Sequence, residues 1–468
     1  VACVRLMDDV TPDSDVPLVR VVVLNFDGGD MTLDCLDSVL ATDWPEHRLD
    51  VVMVDNGSLD DVVQRIAASD RARRVRVLEP LANLGFAAGC NLGIRLPGDH
   101  DFVALINNDA TVSPQWLKAM VGAAGADERI GAVNAKLLFA DRYHGIELEA
   151  EEATHLVKGE TRLLGVRVSG VRLDGERVDD RLAFDEGFYA GESAVMADGE
   201  EIARWSSRRG ALRIAAENGA RPRQISVRLS CLVPRTVTLR SDVDERRVTV
   251  DTSPVWVDVT IPPEPFDVVN NVGSNLFRGG FGGDRGFLEI DRGQYDEPAD
   301  VFAWCGGAVL LRRAYLDDVG LFDERLFLYY EDTDLSWRGR LHGWRYVYEP
   351  NAVVRHRHAA SSGGATSPMF RFYTERNRLL VLAKNAPARL ALRSGLGEVR
   401  RLVATTVRNY LIRPLTLRLP RPPEVRHRRA VTLAYLRALP SMLRSRRSAK
   451  RSVSRESLMA WEVDKWAA

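Results

Sequence analysis

The sequence predicts an α/β protein built on a doubly wound, mostly parallel sheet, with an inserted β-sandwich-like domain and a basic helical C-terminal region. Three observations support this class. Near-continuous apolar runs alternate with segments of helical periodicity in the first third of the chain. Between residues 160 and 265, short segments of alternating polarity replace that pattern. From Arg389 to Glu456 the chain carries 18 Lys and Arg against 3 Glu.

Length and composition set the first limits. At 468 residues the chain exceeds one compact core, and two or three domains are expected. A hydrophobic share of 45% and a charged share of 28% are those of an ordinary globular protein. The five cysteines include no CxxC pair, which argues against a disulfide framework and against a zinc site. There is no signal-peptide pattern and no apolar run of membrane-spanning length, so a cytoplasmic protein is expected.

The first third of the chain alternates strands with helices. After a polar leader at residues 1–18, the apolar run LVRVVVLNF predicts a buried parallel strand. A helix is predicted in TLDCLDSVLAT, and a second buried strand in LDVVMVDNGS. The alternation continues through LDDVVQRIAAS, VRVLEP, NLGFAAGCN and FVALINND. This pattern predicts the nucleotide-binding half of the α/β domain at residues 19–145.

The pattern changes near residue 145. Residues 146–266 give short alternating segments such as RLLGVRVSG, ISVRLSCLV, RTVTLRS, RRVTVDT and VWVDVTI, with little helical periodicity between them. We interpret this region as an inserted β-sandwich-like domain of the usual size for that architecture. The α/β pattern resumes at residues 267–387, the acceptor and catalytic half. Residues 388–468 form the basic helical C-terminal region.

Two polar clusters in the first half follow predicted strands. Asp55 and Asn56 precede Gly57, and such a cluster at the carboxyl edge of a sheet can hold a nucleoside. The alternative is an Asx-type turn with glycine at positive φ. Asn83 and Gly89 belong to NLGFAAGCN, whose glycines would let a helix N-terminus approach a phosphate or sugar. The alternative there is a glycine-lined packing of the helix.

A candidate metal site, Asn107-Asn108-Asp109, directly follows the apolar run FVALI. Three adjacent oxygen-bearing side chains at this sheet edge suit a hard divalent cation that carries a diphosphate. The structural alternative is a capping turn before the helix SPQWLKAMV. Because Ser113-Pro114 suffices to start that helix, the metal interpretation is favoured.

A second acidic cluster follows FLYY in the second half. Glu331, Asp332 and Asp334 lie at the predicted start of a helix that continues through LSWRGRL. One carboxylate there is explained by the helix dipole, but three exceed what capping needs. Asp332 is therefore the candidate general base. His356 and His358 follow an apolar strand and are candidate metal ligands.

The Gly-rich segment FRGGFGGDRG invites comparison with phosphate-binding loops. It matches neither GxGxxG nor GxxxxGK(S/T) in register. We interpret it as a flexible loop.

Several motifs, taken in order, give the chain a family resemblance. They are VVVLNFDGGDMTLDCLDSVL, VVMVDNGSLD, NLGFAAGCN, INND, CGGAVLLRR, VGLFDERLFLYYEDTDLSWR and GWRYVYEPNAVVRH. In this order they resemble the family 2 glycosyltransferases, and within them the bacterial rhamnosyltransferase-like branch. The resemblance covers residues 19–140 and 268–385. It implies a GT-A fold, a nucleotide-diphosphate sugar donor, a divalent metal (Mn²⁺ or Mg²⁺) and inversion at the anomeric carbon.

The resemblance also implies roles for individual residues. By motif position, Asp55 is the nucleoside-contacting aspartate, and Asp109 is the last aspartate of the metal motif. Asp332 is the base of an acidic pair completed by Glu331, and His356 matches a metal-ligating histidine of some members. The other donor-binding residues expected are Asn25, Asn56, Asn83, Gly89, Asn107, Asn108 and Gly306. Asn107 stands where the family more often has aspartate, so weaker metal binding is expected.

These inferences predict an inverting enzyme that moves a hexosyl or deoxyhexosyl group from a nucleotide-diphosphate sugar to a glycan or lipid-linked acceptor. Its place would be in cell-envelope glycan or glycoconjugate synthesis. One alternative is a sugar-phosphate nucleotidyltransferase, but LNFDGGDMTLDC lacks the basic residues that would hold a triphosphate. The other is a catalytically silent glycan-binding protein built around the β-rich insertion, against which Asp109 and Asp332 argue.

The net charge of −1 conceals an uneven distribution. The basic stretch from Arg389 to Glu456 has a local balance of +15, which leaves −16 on the rest of the chain. The Leu, Tyr, Val and Met residues between the basic ones favour helices at an anionic membrane surface over a nucleic-acid-binding role. The alternative is a solvated tail that packs on the acidic body. We expect peripheral association with the inner face of the plasma membrane.

Overall fold

The computed structural model describes residues 16–157, 160–178, 181–184, 187–189, 192–196, 199–357, 367–415, 419 and 421–464. The predicted leader therefore lies outside the described residues up to residue 15. The chain divides into two compact units. The first unit comprises Val1–Ala140, Asn270–Phe287 and Gly293–Ala468, and the second comprises Asp141–Val269 and Leu288–Arg292.

The first unit is built on a mixed sheet flanked by helices. Its first strands are β1 (Val19–Asn25), β2 (Leu49–Asp55), β3 (Val75–Leu78), β4 (Phe102–Asn107), β5 (Ala110–Val112) and β6 (Ile130–Phe139). The helices among them are α1 (Asp30–Leu40), α2 (Val62–Ala67), α3 (Gly85–Ile94) and α4 (Trp116–Gly125). Strands β1 to β4 are parallel. Burial on both faces explains the continuous apolar runs of β1, β2 and β4.

The second unit is a β-sandwich. Its strands are β7 (Tyr143–Ala150), β8 (Ala153–Val157), β9 (Glu160–Leu164), β10 (Arg167–Leu173), β11 (Glu176–Arg177), β12 (Leu182–Phe184), β13 (Glu192–Met196), β14 (Gly199–Trp205), β15 (Arg209–Ala215), β16 (Gln224–Ser230), β17 (Arg235–Arg240), β18 (Glu245–Val250) and β19 (Val255–Thr260). One sheet has the order β13-β14-β10-β16-β19, and the other β12-β15-β7-β17-β18. Inward-facing residues of both sheets, such as Leu148 and Val227, share one apolar core. The inserted β-rich domain is confirmed.

The chain then returns to the first unit. The strands are β20 (Val269–Asn271), β21 (Ser274–Phe277), β22 (Phe281–Asp284), β23 (Ala299–Asp300), β24 (Ala308–Arg312) and β25 (Arg345–His356), with helices α5 (Arg313–Val319) and α6 (Glu331–His342) before β25. Strands β21 and β22 belong to a separate small sheet, and the others complete the main one. The main order is β23-β25-β6-β24-β4-β1-β2-β3. Strand β24 is antiparallel to β4 and β6, whereas β25 is parallel to β6. The predicted α/β class is confirmed, and the sheet mixes parallel with antiparallel strands.

Helices dominate the C-terminal part of the first unit. They are α7 (Pro368–Asn385), α8 (Ala388–Val407), α9 (Arg413–Leu415) and α10 (Pro422–Ser448), with a π-helical turn at Arg408–Ile412 before α9 and the short strand β26 (Glu462–Val463) at the end. Trp337 of α6, Leu380 of α7 and Tyr435 of α10 share one apolar core. Among the described residues, no helix has both the length and the apolar composition needed to cross a bilayer.

Two local predictions are wrong. The segment FRGGFGGDRG forms the β21–β22 hairpin, turned by Gly279 and Gly280 at positive φ, and not a flexible loop. The glycines serve the turn, and their number made the two strands hard to predict from the sequence. Helix α4 begins at Trp116 without a side-chain cap, so Ser113-Pro114 does not cap it as predicted. Instead, the carbonyl of Ser113 accepts a hydrogen bond from the Trp116 amide over 3.1 Å, in the turn that precedes the helix.

Candidate active site

The acidic cluster at residues 331–334 lies at the start of α6, as predicted, but its carboxylates have different environments. Asp334 is fully buried and lies 2.9 Å from both Lys384 and Arg338. Asn385 donates a further hydrogen bond to it over 2.8 Å. Burial acts to raise the pKa of Asp334, but Lys384 and Arg338 outweigh burial and lower that pKa. Asp334 therefore ties α6 to α7.

Glu331 is also buried but lacks such partners. Its Oε2 atom accepts no hydrogen bond within the described part of the chain. Burial first, and the negative charge of Asp332 second, raise the pKa of Glu331 well above its usual value. Glu331 therefore holds a proton more readily than an ordinary glutamate does.

Asp332 is the half-buried carboxylate of the cluster. Its Oδ2 atom accepts a hydrogen bond from the Gly306 amide over 3.3 Å, and its Oδ1 atom accepts one from the Thr333 amide over 2.6 Å. Burial raises the pKa of Asp332 although these hydrogen bonds act to lower it. A carboxylate that is reachable from solvent and has a raised pKa is suited to take up a proton.

The loop before α6 has a strained backbone. Phe327, Tyr329 and Tyr330 have φ angles of 66°, 66° and 69°, in the left-handed region that non-glycine residues rarely adopt. Such residues cost about 1–3 kcal/mol each and persist only where their surroundings hold them. The buried Asn377 of α7 supplies that support, because its Nδ2 atom donates to three carbonyls of this loop at 2.7 to 2.9 Å. Sequence analysis did not find Asn377.

The candidate metal ligands Asp109 and His356 lie together. Oδ1 of Asp109 is 3.0 Å from Nε2 of His356, and Nδ2 of Asn107 is 3.2 Å from the same nitrogen. The pairing of β25 with β5 sets this contact, because His356 is in register with Ala110. Asp109 and His356 are 8% and 6% exposed. His358 lies outside the described residues.

Asn270 orients the imidazole of His356. Its Oδ1 atom lies 2.9 Å from Nδ1 of His356, although 86 residues separate the two in the chain. A proton on Nδ1 would be donated to this oxygen, which leaves the Nε2 lone pair directed at Asp109. A single asparagine carries no periodicity or motif of its own, and sequence analysis missed it.

The donor set fits a hard divalent cation bound with few protein ligands. A carboxylate oxygen and an imidazole nitrogen converge at 3.0 Å, with the Asn107 amide beside them. Nowhere in the described ranges do three or more His, Cys, Asp or Glu side chains gather as a metal-binding group. The remaining ligands of an ion held here would be phosphate oxygens and water, an arrangement typical of Mg²⁺.

Two successive glycines connect Asp332 with the Asp109–His356 pair. The Gly306 amide donates to Asp332, and the Gly307 carbonyl accepts from the Asn107 amide over 3.0 Å. A Cβ atom at Gly306 would lie 3.2 Å from the ring of Phe86, and one at Gly307 would lie 3.0 Å from Leu137. A side chain at either position would be tightly packed, and the two hydrogen bonds hold both carboxylates at the same edge of the sheet.

A hydrogen-bond network at the end of β1 holds the predicted nucleoside site. The fully buried Asn25 donates to Oδ1 of Asp55 over 2.9 Å and accepts from Asn108 over 3.0 Å and from Thr32 over 2.6 Å. Ser58 also donates to Oδ1 of Asp55. Asn25 and Asn108 thus brace the strand ends, and within the described residues the hydrogen bonds to Asp55 reach its Oδ1 atom and not Oδ2.

The predicted donor-binding residues of NLGFAAGCN have two different environments. Asn83 is exposed, and its Oδ1 atom accepts from Nδ2 of the buried Asn56 over 3.0 Å. Gly89 is buried, and a Cβ atom there would lie 2.4 Å from Leu24 of β1. Close packing of α3 on β1 accounts for Gly89, as the structural alternative proposed.

Asp284, at the end of β22, is an acidic residue of this region that sequence analysis did not find. Its Oδ1 atom accepts from Asn271 over 2.6 Å. Desolvation by the surrounding protein raises its pKa to about 6, although the residue as a whole is exposed. The nearby Asp332 adds to this rise, whereas Asn271 and His356 act to lower the pKa. An isolated Asp after a glycine run gave no sequence signal.

Family models match the chain on both sides of the insertion. The model of glycosyl transferase family 2 matches residues 20–146, and that of glycosyltransferase like family 2 matches residues 287–374. The first range contains Asp55 and Asp109, and the second contains Asp332 and His356.

A short segment resembles a curated relative. This is the N-acetylglucosaminyl-diphospho-decaprenol L-rhamnosyltransferase of Mycobacterium tuberculosis, in strains CDC 1551 / Oshkosh and ATCC 25618 / H37Rv. The segment is 46% identical over 69 residues, which are 14% of this chain. The match spans only 22% of the relative's length.

Among solved structures, GalNAc-T7 with UDP, GalNAc and Mn²⁺ aligns with a TM-score of 0.46 and 11% identity, covering 82% of this chain and 51% of that one. The mannosyltransferase PcManGT from Pyrobaculum calidifontis, in complex with GDP-Man and Mn²⁺, has a TM-score of 0.37 and 14% identity. That alignment covers 97% of this chain and 81% of the other.

The family assignment comes from the sequence models, which match both halves of the α/β unit in the order of the motifs. Residues 20–146 and 287–374, on either side of the insertion, are therefore those of a family 2 glycosyltransferase.

Proposed function

We propose that this protein is an inverting glycosyltransferase that moves a hexosyl or deoxyhexosyl group from a nucleotide-diphosphate sugar to an acceptor hydroxyl. The observation that carries the proposal is the connection through Gly306 and Gly307. It joins Asp332 to Asn107, which adjoins the Asp109–His356 pair. A base and a metal-binding pair at one sheet edge supply the groups that transfer from an activated sugar needs.

Asp332 acts as the base in this proposal. It takes the proton of the acceptor hydroxyl while that oxygen bonds to the anomeric carbon. The bond between this carbon and the diphosphate oxygen breaks, and the electron pair leaves with the diphosphate. Attack from the face opposite the diphosphate inverts the anomeric configuration.

Asp109 and His356 would hold a divalent metal, Mn²⁺ or Mg²⁺, with Asn107 beside them. A bound ion of this kind neutralises the charge that the diphosphate gains on leaving. Asn270 keeps the imidazole in the orientation that binding needs. Oδ2 of Asp55 accepts a hydrogen bond from the nucleoside.

The sugar and the acceptor are narrower proposals. The 69-residue match to a rhamnosyltransferase supports a deoxyhexosyl donor. The name of that relative includes a diphospho-decaprenol acceptor, which supports a lipid-linked acceptor and a role in cell-envelope glycan synthesis for this chain. The basic C-terminal region supports peripheral contact with the inner face of the plasma membrane, where such an acceptor would lie.

A thermal-shift panel of sugar nucleotides, with and without Mn²⁺ or Mg²⁺, tests the proposal. The correct donor at a hundred times its Kd should stabilise the protein by about 2.7 kcal/mol in the presence of metal. Slow release of nucleoside diphosphate from that donor should accompany binding. Release of pyrophosphate from a nucleoside triphosphate would instead indicate the nucleotidyltransferase. If no sugar nucleotide binds and none is hydrolysed, the transferase proposal is wrong.

A further inference from the structure

Helix α8 exposes a row of large apolar side chains. Leu392, Leu396, Val399, Val403 and Val407 follow one another at spacings of three or four residues, which places them on one side of the helix. Their exposed fractions run from 39% to 64%. Scattered exposed apolar residues are normal, but a continuous row over about four turns is not, and such surfaces mark interaction sites.

The row continues beyond the end of α8. Tyr410, Leu411 and Ile412 of the π-helical turn are 54%, 58% and 49% exposed. We refer to all eight residues as the α8 stripe: Leu392, Leu396, Val399, Val403, Val407, Tyr410, Leu411 and Ile412. The stripe widens at its C-terminal end, where three consecutive residues are apolar and exposed.

The other side of α8 is docked on the first unit. A Cβ atom at Gly395 would lie 2.7 Å from the hydroxyl of Tyr435, so α8 and α10 approach closely there. Thr432 of α10 donates to the buried Glu398 over 3.3 Å. The helix is therefore held in one orientation, and the stripe is the side that it turns away from α10.

Charges of one sign border the stripe. Arg389, Arg393 and Arg400 are exposed along α8. Glu398 is the acidic residue of this helix, but it is 1% exposed and lies 2.9 Å from Arg401. The surface around the stripe is therefore apolar in the middle and basic at its border.

We propose that the α8 stripe inserts into the surface of an anionic phospholipid bilayer. Exposed apolar side chains with a basic border match the amphipathic helices that lie in a membrane interface. A second copy of this chain is a less suitable partner for the stripe. Arg393 and Arg400 would then face the same arginines of the other copy, and like charges repel. An anionic leaflet neutralises these charges.

This inference rests on the membrane contact in the proposed function and narrows it to one helix. Sequence analysis placed the contact in the basic stretch from Arg389 to Glu456, which forms both α8 and α10. In the structure Val431, Tyr435 and Met442 of α10 are buried in the core that it shares with α7. Their apolar side chains hold α10 on the protein and are not available to a membrane.

Co-sedimentation with vesicles tests the inference. The full-length chain should pellet with vesicles of equal parts phosphatidylglycerol and phosphatidylcholine, but not with phosphatidylcholine alone. Binding should weaken as salt rises. The variant Leu392→Gln/Leu396→Gln/Val403→Gln keeps every charge and removes apolar area, so its partition coefficient should fall by at least about tenfold.

The matched control is Leu433→Gln/Leu436→Gln on α10, at positions that are 40% and 45% exposed. The control should bind vesicles as well as the parent. Equal binding by the α8 variant and the parent would contradict the inference, as would loss of binding in the control alone. Concentration-dependent dimerisation of the parent that the α8 substitutions abolish would assign the stripe to a second copy instead. Donor hydrolysis in solution is independent of these outcomes, so failure of the catalytic proposal would be seen separately.

Discussion

Nε2 of His356 lies 3.0 Å from Oδ1 of Asp109, across the pairing of β25 with β5. The two residues lie on opposite sides of the insertion in sequence, and the antiparallel register His356↔Ala110 brings them together. Both side chains are more than nine-tenths buried, so little solvent competes for their lone pairs. The contact is the structural basis for the metal predictions that follow.

His356→Ala should weaken metal-dependent donor binding, because it removes a nitrogen ligand. Asn270→Ala should act in the same direction by about 10–100-fold, since it removes the hydrogen bond that orients the imidazole. Isothermal titration of Mn²⁺ in the presence of donor measures both effects. His47→Ala, at an exposed histidine, is the control and should bind metal normally. Full donor hydrolysis by the parent in excess chelator would show that the Asp109–His356 contact is structural.

Asp332→Asn and Glu331→Gln should differ although they alter adjacent carboxyl groups. The first removes the base, so kcat should fall by about 10²–10⁴-fold while the donor Kd is nearly unchanged. The second replaces a buried carboxyl group, whose pKa is raised by burial, with an amide of similar shape, so activity should stay within several-fold of the parent. Steady-state kinetics and donor titration of the two variants make the comparison. Equal losses of kcat would refute the assignment of Asp332 as the base.

The activity should fall on the acid side at a higher pH than an ordinary aspartate would give. Asp332 works deprotonated, and its pKa is raised, so kcat/KM should be retained above that pKa and lost as pH falls through it. Asp284→Asn removes a nearby negative charge and should move the acid limb to lower pH. A profile of kcat/KM against pH at saturating metal checks both. If Asp284→Asn leaves the acid limb unchanged, the charge of Asp284 does not affect the pKa of Asp332.

Lys384→Met should lower the free energy of unfolding by about 3–5 kcal/mol, because it leaves buried carboxylates without their cation. Lys384 lies 2.9 Å from Asp334 and 2.6 Å from Asp323. Burial acts to raise the pKa of both aspartates, but neighbouring cations outweigh it and lower those values. This stabilisation is therefore present above the unfolded aspartate pKa of about 3.9 and is lost as pH falls below it.

Urea unfolding at neutral and acid pH measures the effect of Lys384→Met. The control Lys118→Met, at an exposed position of α4, should change stability by less than about 0.5 kcal/mol. The difference between parent and Lys384→Met should shrink at acid pH, where the aspartates become protonated. A difference that is the same at both pH values would mean that packing, and not charge, stabilises this position.

The insertion should be separable from donor chemistry. Tyr143 and Phe266 exchange two backbone hydrogen bonds of 2.9 Å, so the chain enters and leaves the sandwich at adjacent points. Replacement of residues 144–265 by a short Gly-Ser linker should preserve donor hydrolysis. Transfer to the native acceptor should fall by more than about tenfold. If hydrolysis and transfer are lost together while the protein still melts cooperatively, the insertion serves the active site directly.

Local patterns determined much of the fold and the position of the acidic cluster. Strands β1, β2 and β4 are buried on both faces, and their uninterrupted apolar runs show this without any knowledge of their neighbours. The alternating segments of the insertion become β16 to β19 because one face of each packs in the sandwich core. The cluster at residues 331–334 falls at the start of α6, where the acidic residues and the following periodicity place it.

The tertiary structure decided what each polar residue in these segments does. Asp332 and Asp334 are two positions apart, but Lys384 of α7 makes Asp334 a structural residue, while the Gly306 amide holds Asp332 at the sheet edge. Asn270 and Asn377 act on groups that lie 48 to 86 residues away in the chain, and no local pattern encodes such distances. Sequence periodicity reports which face of an element is buried. The partner of a polar group depends on long-range packing, and that packing is fixed only when the whole chain has folded.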